Sequence, residues 1–278
     1  MKLTALLRNK LLSNRLKYLF YQLFTNKRIL TGNTEKYNLK FMFFINDGLG
    51  KDIYYKHGVY AEDYITSYLL RTIDVQDDDF IIDIGANIGW YSLVLSHKHH
   101  PDVFSFEPDP SNFSLLKKNI ELNNKTNIRL FSSAVSNNKG TSEFYIYKSF
   151  NLGRHSLIQQ KNSIRSIEVQ TIRLDDLLAE KNMSERSIKF IKIDIEGSEY
   201  NAMQGALKAL QRCKYLLTEF TPGMMKRINQ EPRDYINLLV NAGFILQVIT
   251  PSGLQQVDFD QIIERNSQVN IFCHREKS

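Results

Sequence analysis

Residues 80–89 read FIIDIGANIG, and 103–108 read VFSFEP. In the first stretch an apolar run ends at Asp83. Gly85, Ala86, Asn87 and Gly89 follow at once, and an apolar helix-like segment then begins (Trp90, Tyr91, Leu93, Val94, Leu95). A buried strand turning sharply into a helix is the ligand-binding corner of an open α/β sheet. Small residues let the backbone approach a ligand, and glycines reach dihedrals closed to other residues. Glu107 sits at the tip of the second strand, where a carboxylate can bind a ribose diol.

The spacing excludes a dinucleotide fingerprint, which needs G-x-G-x-x-G. Here it is Gly85-x-x-x-Gly89, with Asp83 just ahead. A pyrophosphate requires backbone N–H groups and no adjacent carboxylate. S-adenosylmethionine has no phosphate and carries a sulfonium and an ammonium, so it suits an acidic turn. A tight strand–helix turn would also explain the glycines, and Glu107 could instead cap the helix beginning near Pro110.

Working outward, strands and helices alternate. Strand 80–84 precedes helix 88–98, strand 103–107 precedes helix 110–123, and strand 128–132 ends near Ala134. Strand 188–195 leads to helix 198–211 and strand 215–220. Helix 232–241 precedes strand 244–250, and strand 269–274 closes the chain. Such alternation demands a parallel sheet with helices on both faces. Residues 251–268 show no strong helix, which makes the last strands an antiparallel pair. Two strands, 142–149 and 167–174, flank a polar loop from Asn151 to Arg165. Upstream, residues 61–73 are helical, and 38–45 with 53–55 suggest a hairpin around Asn46-Asp47-Gly48, which is turn chemistry. Asp175 and Asp176 read as caps of a short helix, 175–181. Asp83, Glu107, Ala134, Asp194 and Glu196 all fall at strand carboxyl ends, where ligands bind in open sheets.

Composition is that of an ordinary globular protein, 42% hydrophobic and 24% charged. Two cysteines, Cys213 and Cys273, give no disulfide framework or zinc site, and a reducing cytoplasm is the simplest compartment. The net charge is +6, but residues 1–30 hold Lys2, Arg8, Lys10, Arg15, Lys17, Lys27 and Arg28 with no acid. The remainder is nearly balanced, which argues against a nucleic-acid surface. Leucines and phenylalanines recur at helical spacing through the same segment. Charges interrupt it too often for a membrane span. It reads as a basic amphipathic helix over a linker to residue 36, with residues 37–278 as the main domain. The helix would either pack on protein or lie on an anionic bilayer at the inner face of the membrane.

The ordered set DIGANIGWYS, FEPDPSNFSLLKKNIELN, AVSNNKG, LDDL and KIDIEGSEYNAMQGA resembles the FkbM family of S-adenosylmethionine-dependent methyltransferases over a core of residues 58–220. The resemblance implies a Rossmann-like class I fold with a mostly parallel seven-stranded sheet, here with an N-terminal helical extension. It also implies O-methylation of sugars, polysaccharides or secondary metabolites. Carried over by motif, Asp83, Gly85, Ala86, Asn87 and Gly89 match the cofactor turn and Glu107 the ribose acid. Ala134 matches the residue beside the adenine edge. Asp194 and Glu196 match the fourth-strand motif, though a helix N-terminal acid pair is the other reading. Glu62 resembles an acid near the amino-acid end of the cofactor, with Ala61 intervening where the family pattern has none.

For an alcohol acceptor, a base near the hydroxyl would add about 10²–10⁴-fold. His155, in the polar loop FNLGRHSL, is the preferred candidate. Asp194 is a second, and Glu219 at the end of strand 215–220 a rival. No residue is assigned to a metal. A divalent ion on Asp194 and Glu196 is compatible with hard oxygen ligands, but nothing in the spacing demands one. The sequence expectation is an O-methyltransferase of a sugar hydroxyl, in a cell-surface polysaccharide or glycolipid. The alternatives are a soluble-metabolite O-methyltransferase and a catalytically silent binding protein. An oligomer is compatible with the sequence.

Overall fold

The computed structural model describes residues 16–21, 28–45, 47–55, 63–147, 155–159 and 163–276. Residues 16–21 are helical. The chain then forms β1 (Ile29–Thr34) and β2 (Leu39–Phe44), an antiparallel hairpin. Its turn, 35–38, ends on Asn38 in the left-handed region (φ 53°), which asparagine tolerates better than most residues. The expected hairpin around Asn46–Gly48 is therefore misplaced. The partner of β2 lies before it, and Gly48–Tyr55 is a helix, α1. Asp47 decides this locally, because its carboxylate accepts the Gly50 N–H at 3.0 Å, a cap that starts a helix. Residue 36 lies in the hairpin turn, so paired strands join the segments on either side of the expected linker.

After α2 (Asp63–Thr72) the alternation begins: β3 (Phe80–Ile84), α3 (Trp90–Val94), β4 (Asp102–Phe106), α4 (Pro110–Leu122) and β5 (Ile128–Phe131). A small side sheet follows, with β6 (Ala134–Val135), β7 (Gly140–Tyr147) and β8 (Ser163–Ile172) in the order β6-β8-β7. The chain returns through α5 (Leu174–Glu180) to β9 (Ile188–Ile193), then α6 (Glu199–Gln204), α7 (Leu207–Arg212) and β10 (Cys213–Phe220). It ends with α8 (Pro222–Arg227), α9 (Pro232–Asn241), β11 (Ile245–Thr250), β12 (Gly253–Gln255), α10 (Phe259–Glu264) and β13 (Val269–His274).

The main sheet has the order β12-β11-β13-β10-β9-β3-β4-β5. Strands β5, β4, β3, β9 and β10 are parallel, and β13 enters antiparallel between β10 and β11. The fold class is as expected, with two differences. A short edge strand, β12, makes eight strands rather than seven, and α10 occupies part of the segment where no helix was expected. The predicted helix 198–211 is also broken in two. A side chain on Gly205 would lie 2.0 Å from the Ser136 carbonyl oxygen, and the helix stops where the backbones touch.

Helices cover both faces, and the two apolar clusters lie on opposite sides of the sheet. One joins the hairpin, α1, α2, α3 and α4, and the other joins α5 to α9. All five residues of β3 are buried, and each fully buried aliphatic side chain contributes about 1.5–3 kcal/mol. The hairpin is tied to α4 by two amides one helical turn apart. Asn119 pairs with both backbone groups of Met42 (2.6 and 3.0 Å), and Asn123 with both of Lys40 (2.9 and 2.7 Å). These side chains satisfy a strand edge that no neighbouring strand covers. Tyr18 is buried and donates its hydroxyl to the Ile45 carbonyl, while Leu16, Leu19 and Phe20 face outward. Among the described residues no helix is long and apolar enough to cross a membrane.

Candidate active site

Strand order reverses between β3 and β9, which is the topological switch point where open sheets bind ligands. There the two strands deliver Gly85 and Asp194 side by side. A Cβ on Gly85 (φ +76°) would stand 2.0 Å from the Asp194 carbonyl oxygen. Glycine is thus required both by dihedral and by space, which the tight strand–helix turn by itself explains. Gly85 and Ala86 donate their N–H groups to the Phe106 carbonyl at 3.0 and 2.9 Å, folding the turn over the end of β4.

A cavity of about 510 Å³ opens over these strand ends, within the size range of small-molecule sites. Its wall includes Gly85, Ala86, Asn87, Glu107, Asn112 and Ala134, together with His155, Asp194, Glu196, Ser198, Glu219 and Gln268. The cavity therefore gathers most of the predicted residues. Asp83 and Gly89 are not on its wall. Asp83 is 1% exposed and accepts from the Ser92 N–H (3.0 Å) and hydroxyl (2.5 Å), so it braces the turn from behind. Gly89 packs against Leu116. Glu62 lies outside the described residues.

Glu107 is buried and accepts one backbone N–H on each oxygen, Asn87 at 2.8 Å and Asp109 at 2.9 Å. Burial pushes its carboxyl up to about 7, and the two backbone donors only partly oppose this. Glu107 does not cap the following helix. Asp109 does, accepting from Ser111 and Asn112 at 2.8 Å each. Asn87, held in the left-handed region (φ 51°), buries its side-chain oxygen without a hydrogen-bond partner.

Lys192 was not anticipated. It is 4% exposed and stands opposite Asp83 in the β3–β9 register. Its ammonium donates to the Gly85 carbonyl at 2.8 Å and lies 3.8 Å from Asp83 and 3.6 Å from Asp194. Burial disfavours its charge, but Asp194, Asp83, Glu107 and Glu219 outweigh this and hold it above its ordinary value. The signal was visible as a lysine inside the apolar run IKFIKIDI, because buried lysines occur almost only when paired.

Beyond β9, Glu196 (φ 54°) and Gly197 (φ 100°) turn the chain. Glu199 secures this turn by accepting the Ile195 and Gly197 N–H groups at 3.0 and 3.1 Å. The helix N-terminal acid is therefore Glu199, not Asp194 or Glu196. Burial pushes Glu199 up to about 7. Glu219 is 8% exposed and bonded to Thr221 and Gln268. Burial, reinforced by Asp194, Glu196 and Glu199, pushes it up to about 10. Away from the cavity, Asp175 does not cap its own helix. It accepts from Lys208 and Ala209, each at 2.9 Å, and so caps α7. Asp176 pairs with Arg173.

His155 is buried on the cavity wall, stacked against Tyr147 and edge-on to Phe144. Its Nδ1 accepts the Tyr147 backbone N–H at 3.1 Å. That bond puts the neutral ring's proton on Nε2. Burial lowers its pKa, so the neutral form is favoured. In this state Nε2 is a donor, and Nδ1 could take a proton only by releasing Tyr147. Next to it, Ser156 donates to the Glu196 carbonyl at 2.9 Å, tying this segment to the turn after β9.

A family model described as the methyltransferase FkbM domain matches residues 83–246. The chain is 28% identical to the hexuronic acid methyltransferase AglP of Haloferax volcanii, over 61% of this chain and 64% of that protein. It is 28% identical to the 31-O-demethyl-FK506 methyltransferase FkbM of Streptomyces tacrolimicus, over 50% and 63% respectively. It is 27% identical to the 2-O-methyltransferase NoeI of Sinorhizobium fredii, over 64% and 77%. The matched part thus spans less than two thirds of the first two relatives.

Proposed function

This chain belongs to the FkbM methyltransferase family, and we propose that it transfers a methyl group from S-adenosylmethionine to a hydroxyl of a sugar. The observation that carries the reading is the continuity of the cavity. The glycine turn, Glu107, His155 and the carboxylates at the ends of β9 and β10 all line the same space.

The residues present fit the cofactor. Glu107 offers carboxylate oxygens to a ribose diol, and Ala134 leaves room for a flat base. The unpartnered side-chain oxygen of Asn87 suits an ammonium donor. Bound there, S-adenosylmethionine would supply a methyl group on a sulfonium, whose sulfur leaves as a neutral thioether. No leaving-group acid is required, and positioning supplies much of the rate.

His155 orients the acceptor by donating through Nε2–H to its oxygen. Asp194, whose side chain is 45% exposed at the mouth, takes the hydroxyl proton. This reverses the expected order of the two candidates, because the Tyr147 N–H occupies the ring nitrogen a base would need. Support for a sugar comes from the acceptors named for AglP and from the 2-O-methylation named for NoeI. Support for a lipid-linked glycan comes from the acid-free basic segment 1–30 beside the exposed Leu16, Leu19 and Phe20, a pattern that binds anionic bilayers.

The test is transfer of labelled methyl from S-adenosylmethionine to free sugars, uronic acids and lipid-linked glycans. Label recovered as a base-stable methyl ether on a sugar supports the reading. Label found only as a base-labile ester, or only on non-sugar metabolites, overturns it.

A further inference from the structure

We propose that Asp194, Glu196 and Glu219 hold a hard divalent cation, of the magnesium or calcium class, whose open positions take two neighbouring hydroxyls of the acceptor. The inference rests on the proposed sugar acceptor entering the cavity beside these carboxylates.

Three carboxylates from two strand ends converge here, each offering an oxygen within 4.8 Å of the others. Ligands on opposite sides of a calcium ion, at about 2.4 Å each, stand about 4.8 Å apart, and those across magnesium about 4.2 Å apart. Three oxygens at that outer limit stand about 2.8 Å from their common centre, so one ion touches all three once the cluster closes by a few tenths of an ångström for calcium and further for magnesium. Hard cations take six to eight oxygens, so three protein ligands leave positions for a diol.

Ser198 is an independent sign of a missing ligand. It is 1% exposed, lines the same cavity, and its hydroxyl has no hydrogen-bond partner. It makes no cap bond to the helix it precedes. A buried hydroxyl left unpaired costs about 1–3 kcal/mol, and an ion with its water or diol shell would satisfy it.

Charge points the same way. The cavity wall carries Asp52, Glu107, Asp194, Glu196 and Glu219 against Lys51 and Lys192. Lys192 is committed to the Gly85 carbonyl and the Asp83 side, and its closest approach to Asp194 is to Oδ2, at 3.6 Å. Without an ion, like carboxylates at this separation are relieved by a retained proton, which a bound cation would displace.

Isothermal titration of manganese or magnesium into protein saturated with S-adenosylhomocysteine tests the site. One saturable ion per chain is expected. Glu219→Gln and, separately, the half-buried Glu196→Gln should weaken ion affinity at least about tenfold, with S-adenosylhomocysteine affinity changed less than about threefold. No saturable ion binding up to about 10 mM, above the weakest protein calcium sites, would overturn the cation site. Retained S-adenosylhomocysteine binding in that case would leave the methyltransferase reading standing. Ion binding untouched in both variants would also overturn it, by placing the ion elsewhere. Failure of the wild-type chain to bind S-adenosylhomocysteine would remove the reading beneath the proposal, and the proposal with it.

Discussion

Lys192 and Asp83 face one another on adjacent parallel strands, 3.8 Å apart, and the same ammonium donates to the Gly85 carbonyl at 2.8 Å. One cation thus links the strand centre to the turn that forms the cavity floor. Burial pushes the Asp83 carboxyl up, with Lys192 and then Ser92 opposing. Removing Lys192 leaves a buried carboxylate without its cation, which costs about 3–5 kcal/mol.

Lys192→Met should lose stability on that scale in urea unfolding, and adding Asp83→Asn should recover at least about 1 kcal/mol, because the orphaned charge is gone. A Lys192→Met protein as stable as wild type, or losses that simply add, would contradict the linkage.

Cofactor affinity should depend on pH through Glu107. In the free protein its carboxyl is pushed up to about 7, and ribose hydroxyls are held best by the ionised form. Below that pH the carboxyl must first lose its proton. Affinity for S-adenosylhomocysteine should therefore be flat above about pH 8 and fall by up to about tenfold per pH unit below 7. Glu107→Gln should bind more weakly and show little of this dependence. Equal wild-type affinity at pH 5.5 and 8.5 would show that Glu107 does not carry the ribose.

His155 offers a different signature. If it orients the acceptor, His155→Ala should cut kcat/KM about tenfold, the worth of one hydrogen bond of about 1.4 kcal/mol. S-adenosylhomocysteine affinity and the shape of the pH–rate profile should not change. A lost limb of that profile in the variant would restore His155 as the base.

Much of this was legible in the sequence because local chemistry and tertiary structure agree there. FIIDIGANIG turns where it does because Gly85 (φ 76°) and Gly89 (φ 93°) take left-handed dihedrals, and VFSFEP places Glu107 where its own loop donates to it. Legibility failed where a partner distant in sequence decides the outcome. Leu39–Phe44 pairs backward with Ile29–Thr34, and α4 amides rather than another strand satisfy its outer edge. Asp175 caps a helix more than thirty residues away. Asp83 resembles a ligand group by motif, yet Ser92 and Lys192 claim it from behind. Lys192 was readable in principle as a cation stranded in an apolar strand, but its partners appear only when β3 and β9 lie side by side.

The central claim is that this cavity holds S-adenosylmethionine. Thermal unfolding with S-adenosylhomocysteine, and separately with NADH, tests it most directly. At about 100 times its dissociation constant a ligand stabilises the fold by roughly 2.7 kcal/mol, which moves the midpoint by several degrees at this size. The account predicts that shift with S-adenosylhomocysteine alone, lost in Glu107→Ala. A folded protein that ignores S-adenosylhomocysteine, or that responds to NADH instead, would contradict it.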